Sequence, residues 1–147
     1  MLKYLSIPAV MAALSGAAMA LQGTLNSQLT QKTSLLSSTL MVHILGTLTA
    51  VIALFIWKEP ALRYKWLQIP WYLYLGGALS VAIVALVALS ISKIGVCNAT
   101  TAIIVGQVGV AVIIDHFGIL GVQRIAWNPW QVLGLALFAL GAKLLFR

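Results

Sequence analysis

Apolar residues run through this chain in five long stretches, each interrupted by only a few polar side chains. A bilayer-spanning helix needs about 20 mostly apolar residues. Stretches of that order run from Ser6 to Leu29, Leu35 to Trp57, Trp71 to Ser92, Ala99 to Phe117 and Trp130 to Phe146. Pro8 falls in the first turn of the first stretch, where its missing N–H is tolerated. Glu59-Pro60 stops the second, Pro70 opens the third, Gly118 and Gly121 end the fourth, and Asn128-Pro129 precedes the fifth. No long alternating pattern competes, and in lipid the helix is the economical way to satisfy the backbone. The expectation is an all-α, polytopic membrane protein. It is a single transmembrane domain over residues 1–147, with five helices at about 6–29, 35–57, 71–92, 99–117 and 130–146.

Composition strengthens this picture. The chain has 147 residues, 62% hydrophobic and 7% charged, where a soluble domain carries about 25% charged residues. Mean hydropathy is +1.05. The lipid bilayer is therefore the first partner. A net charge of +7 in a soluble protein would suggest nucleic acid. Here the basic residues are scattered singly through loops and ends, and no basic cluster alternates with stacking aromatics, so nucleic acid is not expected. Anionic headgroups are the natural partner of those charges. Cys97 stands alone, which excludes a disulfide within the chain, and no metal-ligand spacing or cofactor motif occurs. The start of the chain reads two ways. Lys3, an apolar stretch and the Ala18/Ala20 pair fit a cleaved signal peptide. A polar face that continues past Ala20 to Gln22 and Asn26 fits a retained helix, the reading adopted.

Five spans place the N-terminus, the 58–70 loop and the 119–129 loop on one side of the membrane. The 30–34 turn, the 93–98 turn and the C-terminus fall on the other. Lys and Arg normally accumulate on the cytoplasmic side. Here five (Lys3, Lys58, Arg63, Lys65, Arg124) face four (Lys32, Lys93, Lys143, Arg147), almost no bias. Every Trp and Tyr, by contrast, lies on or near the first side: Tyr4, Trp57, Tyr64, Trp66, Trp71, Tyr72, Tyr74, Trp127 and Trp130. Aromatics normally anchor both interfaces. Two copies packed upside down relative to each other would supply both belts, so an antiparallel dimer of a chain that inserts either way explains both oddities. A single orientation fixed by a partner protein or by the weak charge bias is the alternative.

Polar residues within spans are costly and face a cavity or another helix. In the first helix Ser15, Gln22 and Asn26 share one face at helical spacing. The second carries His43 and Thr47, and the fourth carries Thr100 and Gln107, with Gln107 near mid-span. Each amide can contact substrate or hold helices together; His43 can carry a proton or hydrogen-bond as a packing residue. Gln22, Asn26, His43 and Gln107 are the candidate substrate-binding residues. Asp115 is the only carboxylate in any proposed span. It is the coupling candidate, and helix-end hydrogen bonding to the neighbouring loop is its plainer role. His116 points roughly 100° away from it on the helix. Gly134, Phe138 and Gly141 form one stripe on the fifth helix, either a dimer seam or a contact within one protomer.

Gln22 and Asn26, Gly76-Gly77, Gly106-Gln107, Ile114-Asp115-His116-Phe117-Gly118 and the Gly134-to-Gly141 stripe resemble the YdcZ-like family of bacterial membrane proteins. The resemblance extends over nearly the whole chain. It implies five-span proteins of the drug/metabolite transporter superfamily in the bacterial inner membrane, working as antiparallel homodimers, as heterodimers with a sister chain, or as fused ten-span chains. It also implies kinship with the small multidrug resistance exporters. Those carry a membrane-embedded Glu in helix one, whereas this first helix has Gln22 and Asn26 and no acid, so their cation-export mechanism does not carry over. Ser80-Val81 after the Gly-Gly pair also departs from the Gly-Ala of other members.

The function expected is secondary transport of a small polar metabolite or drug-like solute through a cavity at the dimer interface. No nucleotide-binding loop is present, so an ion gradient would drive it. A non-transporting assembly subunit is the alternative, distinguished by a dry core. A passive channel is disfavoured, because no charge ring or filter-like run occurs. Enzymatic function is not expected, since no nucleophile–base set accompanies Asp115 and His116.

Overall fold

A computed structural model describes residues 7–58, 66–126 and 128–146, and all its regular elements are helical. Helix α1 spans Ile7–Lys32, α2 Leu35–Trp57, α3 Leu75–Ile94, α4 Val96–Phe117 and α5 Pro129–Leu145. Short 3₁₀ turns cover Trp66–Gln68 and Trp71–Tyr74 before α3, and Ile119–Gly121 after α4. The expected start at Ser6, the Glu59-Pro60 stop, and Lys3, Tyr4, Arg63, Tyr64, Lys65, Trp127 and Arg147 lie outside the described residues.

Four helical segments, Ile7–Lys32, Leu35–Trp57, Trp71–Ile94 and Val96–Phe117, are long and apolar enough to cross a membrane. Helix α5 is equally apolar in character but shorter, at 17 residues. Large apolar side chains such as Leu14, Leu48, Phe55, Leu86 and Leu137 are exposed, an arrangement that water would penalise and lipid accommodates.

The chain divides into two compact units between Lys93 and Ile94. In the first, α1 continues three residues past Leu29, because the Thr33 hydroxyl donates to the Leu29 carbonyl at 2.8 Å and closes the last turn. Two residues later the chain has reversed. Ser34, extended at φ −147°, ψ 162°, caps α2 by accepting from the Ser37 N–H at 3.2 Å, one of the orphan donors of any helix start. The hairpin is tied across by Thr30 Oγ1 and Ser38 Oγ, 2.7 Å apart. Gly23 lets α3 approach α1 closely: a Cβ there would stand 2.8 Å from Ile91 Cδ1 and 2.9 Å from Val87 Cγ1. Helix α2 ends on Lys58 in the left-handed region, whose N–H returns to the last turn.

In the second unit α4 begins after Gly95 (φ +83°) and ends on Gly118 (φ +62°), a position glycine occupies without the steric cost other residues meet. Gly118, Leu120 and Gly121 all have positive φ. This tight coil carries the chain back so that the Ile125 N–H donates to the Asp115 carbonyl at 2.8 Å. Asn128 then opens α5 with a reciprocal cap: its side chain accepts from the Trp130 N–H, and the Gln131 side chain accepts from the Asn128 N–H. Pro129 in the first turn completes a standard helix start. Helices α4 and α5 pack together around Ala142, which is buried.

Candidate functional site

Polar groups taken out of solvent normally find a hydrogen-bond partner. The first unit tests this rule at Asn26 and Ser27, 8% and 1% exposed on α1. Neither side chain makes a hydrogen bond among the described residues, and the Ser27 hydroxyl oxygen is buried outright. Nearby hydroxyls behave differently. Thr24 donates to the Ala20 carbonyl, and Ser38 and Thr39 both donate to the Leu35 carbonyl. Such back-bonding to the preceding turn satisfies a Ser or Thr inside a helix at little cost. Among the buried polar side chains described in this unit, Asn26 and Ser27 are therefore the two left open.

Gln22, four residues before Asn26, is exposed. Equal helical phase did not give equal burial, because α1 is enclosed only along its later turns, where Gly23, Asn26 and Ser27 are buried. Ser15, on the same face, is exposed and donates to the Ala12 carbonyl.

His43 is half-buried on α2, and both ring nitrogens have partners. Nδ1 lies 2.8 Å from the Thr39 carbonyl oxygen, and Nε2 lies 3.1 Å from Ser80 Oγ on α3. One side of the ring borders an open groove of about 270 Å³ lined also by Ile44, Thr47 and Leu48.

The second unit holds Gln107 and Asp115. Gln107 is exposed on α4, without a side-chain hydrogen bond among the described residues. Asp115 is half-buried in the last turn. Its backbone carbonyl holds the returning loop through Ile125, but its carboxylate has no described partner. Arg124, on the same loop, donates from Nε to the His116 carbonyl at 3.0 Å rather than to that carboxylate. The Asp-His-Phe-Gly run thus forms a backbone clasp, with Gly118 packed against Arg124 and Val122. The His116 ring meets Phe117 edge-on.

On α5, Phe138 and Gly141 line a groove of about 290 Å³ with Thr101 and Ile104 of α4. Gly134 faces open space. A second groove of about 500 Å³ borders Ala102, Val105, Ala139 and Lys143. Asn26 and His43 thus belong to the first unit, and Gln107 and Asp115 to the second.

Ser27, Ser38, Thr39 and Ser80 were not singled out by the sequence reading as functional candidates. For Ser27 a signal existed: Gly23-x-x-x-Ser27 is the small-xxx-small spacing of close helix contacts in lipid. For Ser80, thirty-seven residues from His43, nothing in the local pattern announces the pairing.

A family model described as "Putative inner membrane exporter, YdcZ" matches residues 7–144. The chain belongs to the YdcZ family. The match covers all five helices apart from the final residue of α5. Membership in this exporter family places the chain in the bacterial inner membrane and supports a transporter role rather than an enzymatic one. No curated protein and no solved structure shows significant similarity to this chain.

Proposed function

We propose that the protein is a secondary transporter that exports a small polar solute across the inner membrane as an antiparallel dimer of five-span chains. Membership in the exporter family supports the direction. The observation that carries the substrate class is the buried, unpartnered pair Asn26 and Ser27. An amide and a hydroxyl left without protein partners inside an apolar bundle favour a hydrogen-bonding solute or the water that precedes it. Gln22 and Gln107 add exposed amides, and Asp115 adds a half-buried carboxylate for ion coupling. Transport by helices without a nucleotide-binding loop draws on an ion gradient, with alternating access around polar groups near mid-membrane. In the dimer, Gly134, Phe138 and Gly141 form the seam.

The test is reconstitution into liposomes and a solid-supported-membrane current screen across neutral, cationic and anionic metabolites. A solute-dependent current is expected in the native chain. Asn26→Ala and Gln107→Ala should each reduce it at least ten-fold, and Asp115→Asn should uncouple it from the proton gradient. Currents unaffected by all three changes would remove the site assignment. Silence across the screen, together with a bundle that excludes water, would favour an assembly subunit.

A further inference from the structure

We infer that His43 and Ser80 form a proton-binding site in the first unit, able to change charge without losing either hydrogen bond of the ring. A carbonyl oxygen only accepts, so the 2.8 Å contact to Thr39 fixes a hydrogen on Nδ1. In the neutral ring Nε2 is then the acceptor, and the Ser80 hydroxyl donates to it across 3.1 Å. When a proton binds, it bonds to Nε2 and no other group loses one. Nε2–H now donates to Ser80 Oγ, which accepts through a lone pair, and the hydroxyl hydrogen turns away. A hydroxyl, unlike a carbonyl or an amine, works in either direction. A histidine held only for packing does not need such a reversible partner.

The ring is half-buried, and a groove along Ile44, Thr47 and Leu48 borders its other side. Few charges on the packed elements compete with it. Helix α1 carries Lys32, close to the hairpin turn and about 14 Å along α2 from His43. Lys58 at the end of α2 is about 22 Å away along the axis. On α3, Lys93 lies about 20 Å from Ser80, and Tyr74, just before the helix, about 9 Å. Tyr72 lies a further half-turn out, and none of these groups bonds the ring among the described residues.

The inference rests on the transporter reading and adds a proton site to it, but its test does not need a substrate. The full chain, ¹⁵N-labelled at histidine in lipid, is titrated by NMR from pH 4.5 to 9. The signals of the two histidines are assigned by difference from His43→Asn. Nδ1 of His43 should remain protonated throughout, while Nε2 passes from acceptor to protonated within that window. Ser80→Ala should bind the proton about ten-fold more weakly, as expected when a charged donor loses its acceptor, and Ser80→Thr should restore it. A ring that stays neutral across the whole range, or a Ser80→Ala titration matching the native one, would overturn the inference. Solute currents with a non-titrating His43 would sink this site and leave the transporter reading standing; a titrating His43 without solute currents would do the reverse.

Discussion

The two units solve the problem of packing in lipid by different means. The first, α1 to α3, hides polar groups: Asn26, Ser27, Ser38 and Thr39 are all buried, and His43 reaches Ser80 across helices. The second, α4 and α5, buries one polar side chain, Thr101, packs on small residues around Ala142, and leaves Gln107 exposed and Asp115 half-buried. Lipid tails are as apolar as Leu, so burying Leu gains little there, and close backbone approach and interhelical hydrogen bonds must supply the association. The first unit uses both devices. The second relies on small-residue contacts and on a backbone clasp at one end, and its grooves beside α5 remain unfilled.

The contrast is most easily broken at the glycines. Gly23→Leu places a side chain into Ile91 and Val87, and overpacking of this kind costs up to about 3 kcal/mol. A large fall in the thermal midpoint of detergent-purified protein is expected. Gly134→Leu puts its Cβ where nothing lies within 4 Å among the described residues. It should leave the protomer within about 0.5 kcal/mol of native stability while weakening dimerisation measured by light scattering. Equal losses of protomer stability at the two sites would erase the distinction.

A smaller effect is expected at the clasp. Gly118→Ala forces an L-residue into the left-handed region at a cost of about 1–2 kcal/mol, with its Cβ 3.2 Å from Arg124 Cβ. Hydrogen exchange should report faster opening of the Ile125 amide, which Asp115 now protects, with the amides of α1 unchanged. Faster exchange in both units would mean that the clasp supports more than its own helix end.

The smallest effect sharpens the account of the first unit. A double-mutant cycle of Thr30→Val and Ser38→Ala should give a coupling of about 0.6 kcal/mol, the average for side-chain hydrogen bonds between membrane helices. A coupling of zero would reassign the 2.7 Å contact from tie to bystander.

What could be read from the sequence follows from the same physics. Spans were legible because about 20 apolar residues in a row have few other uses, and the start of α5 was legible because Asn128-Pro129 is a local signal. The Asp-His-Phe-Gly run marked a helix end, but not that Asp115 would serve the loop through its carbonyl rather than its carboxylate. Which face of each helix lies inward was harder to see. In water an apolar stripe marks the core; in lipid the outward face is equally apolar, and small polar residues become the guide. That guide identified Asn26, four residues after Gln22 on one face, and passed over Ser27, which lies about 100° round the helix from Asn26. Pairings such as His43 with Ser80 depend on how helices meet, and no spacing within one helix encodes them.

The seventeen residues of α5 have a consequence for where the protein is at ease. At 1.5 Å per residue the helix is about 25 Å long, against a hydrocarbon thickness of about 30 Å, whereas the 26 residues of α1 reach about 39 Å. One helix invites the bilayer to thin and the other must lean to fit. Acyl-chain length therefore pulls on α1 and α5 in opposite senses, and membrane thickness becomes a mechanical input that this small protein feels unevenly.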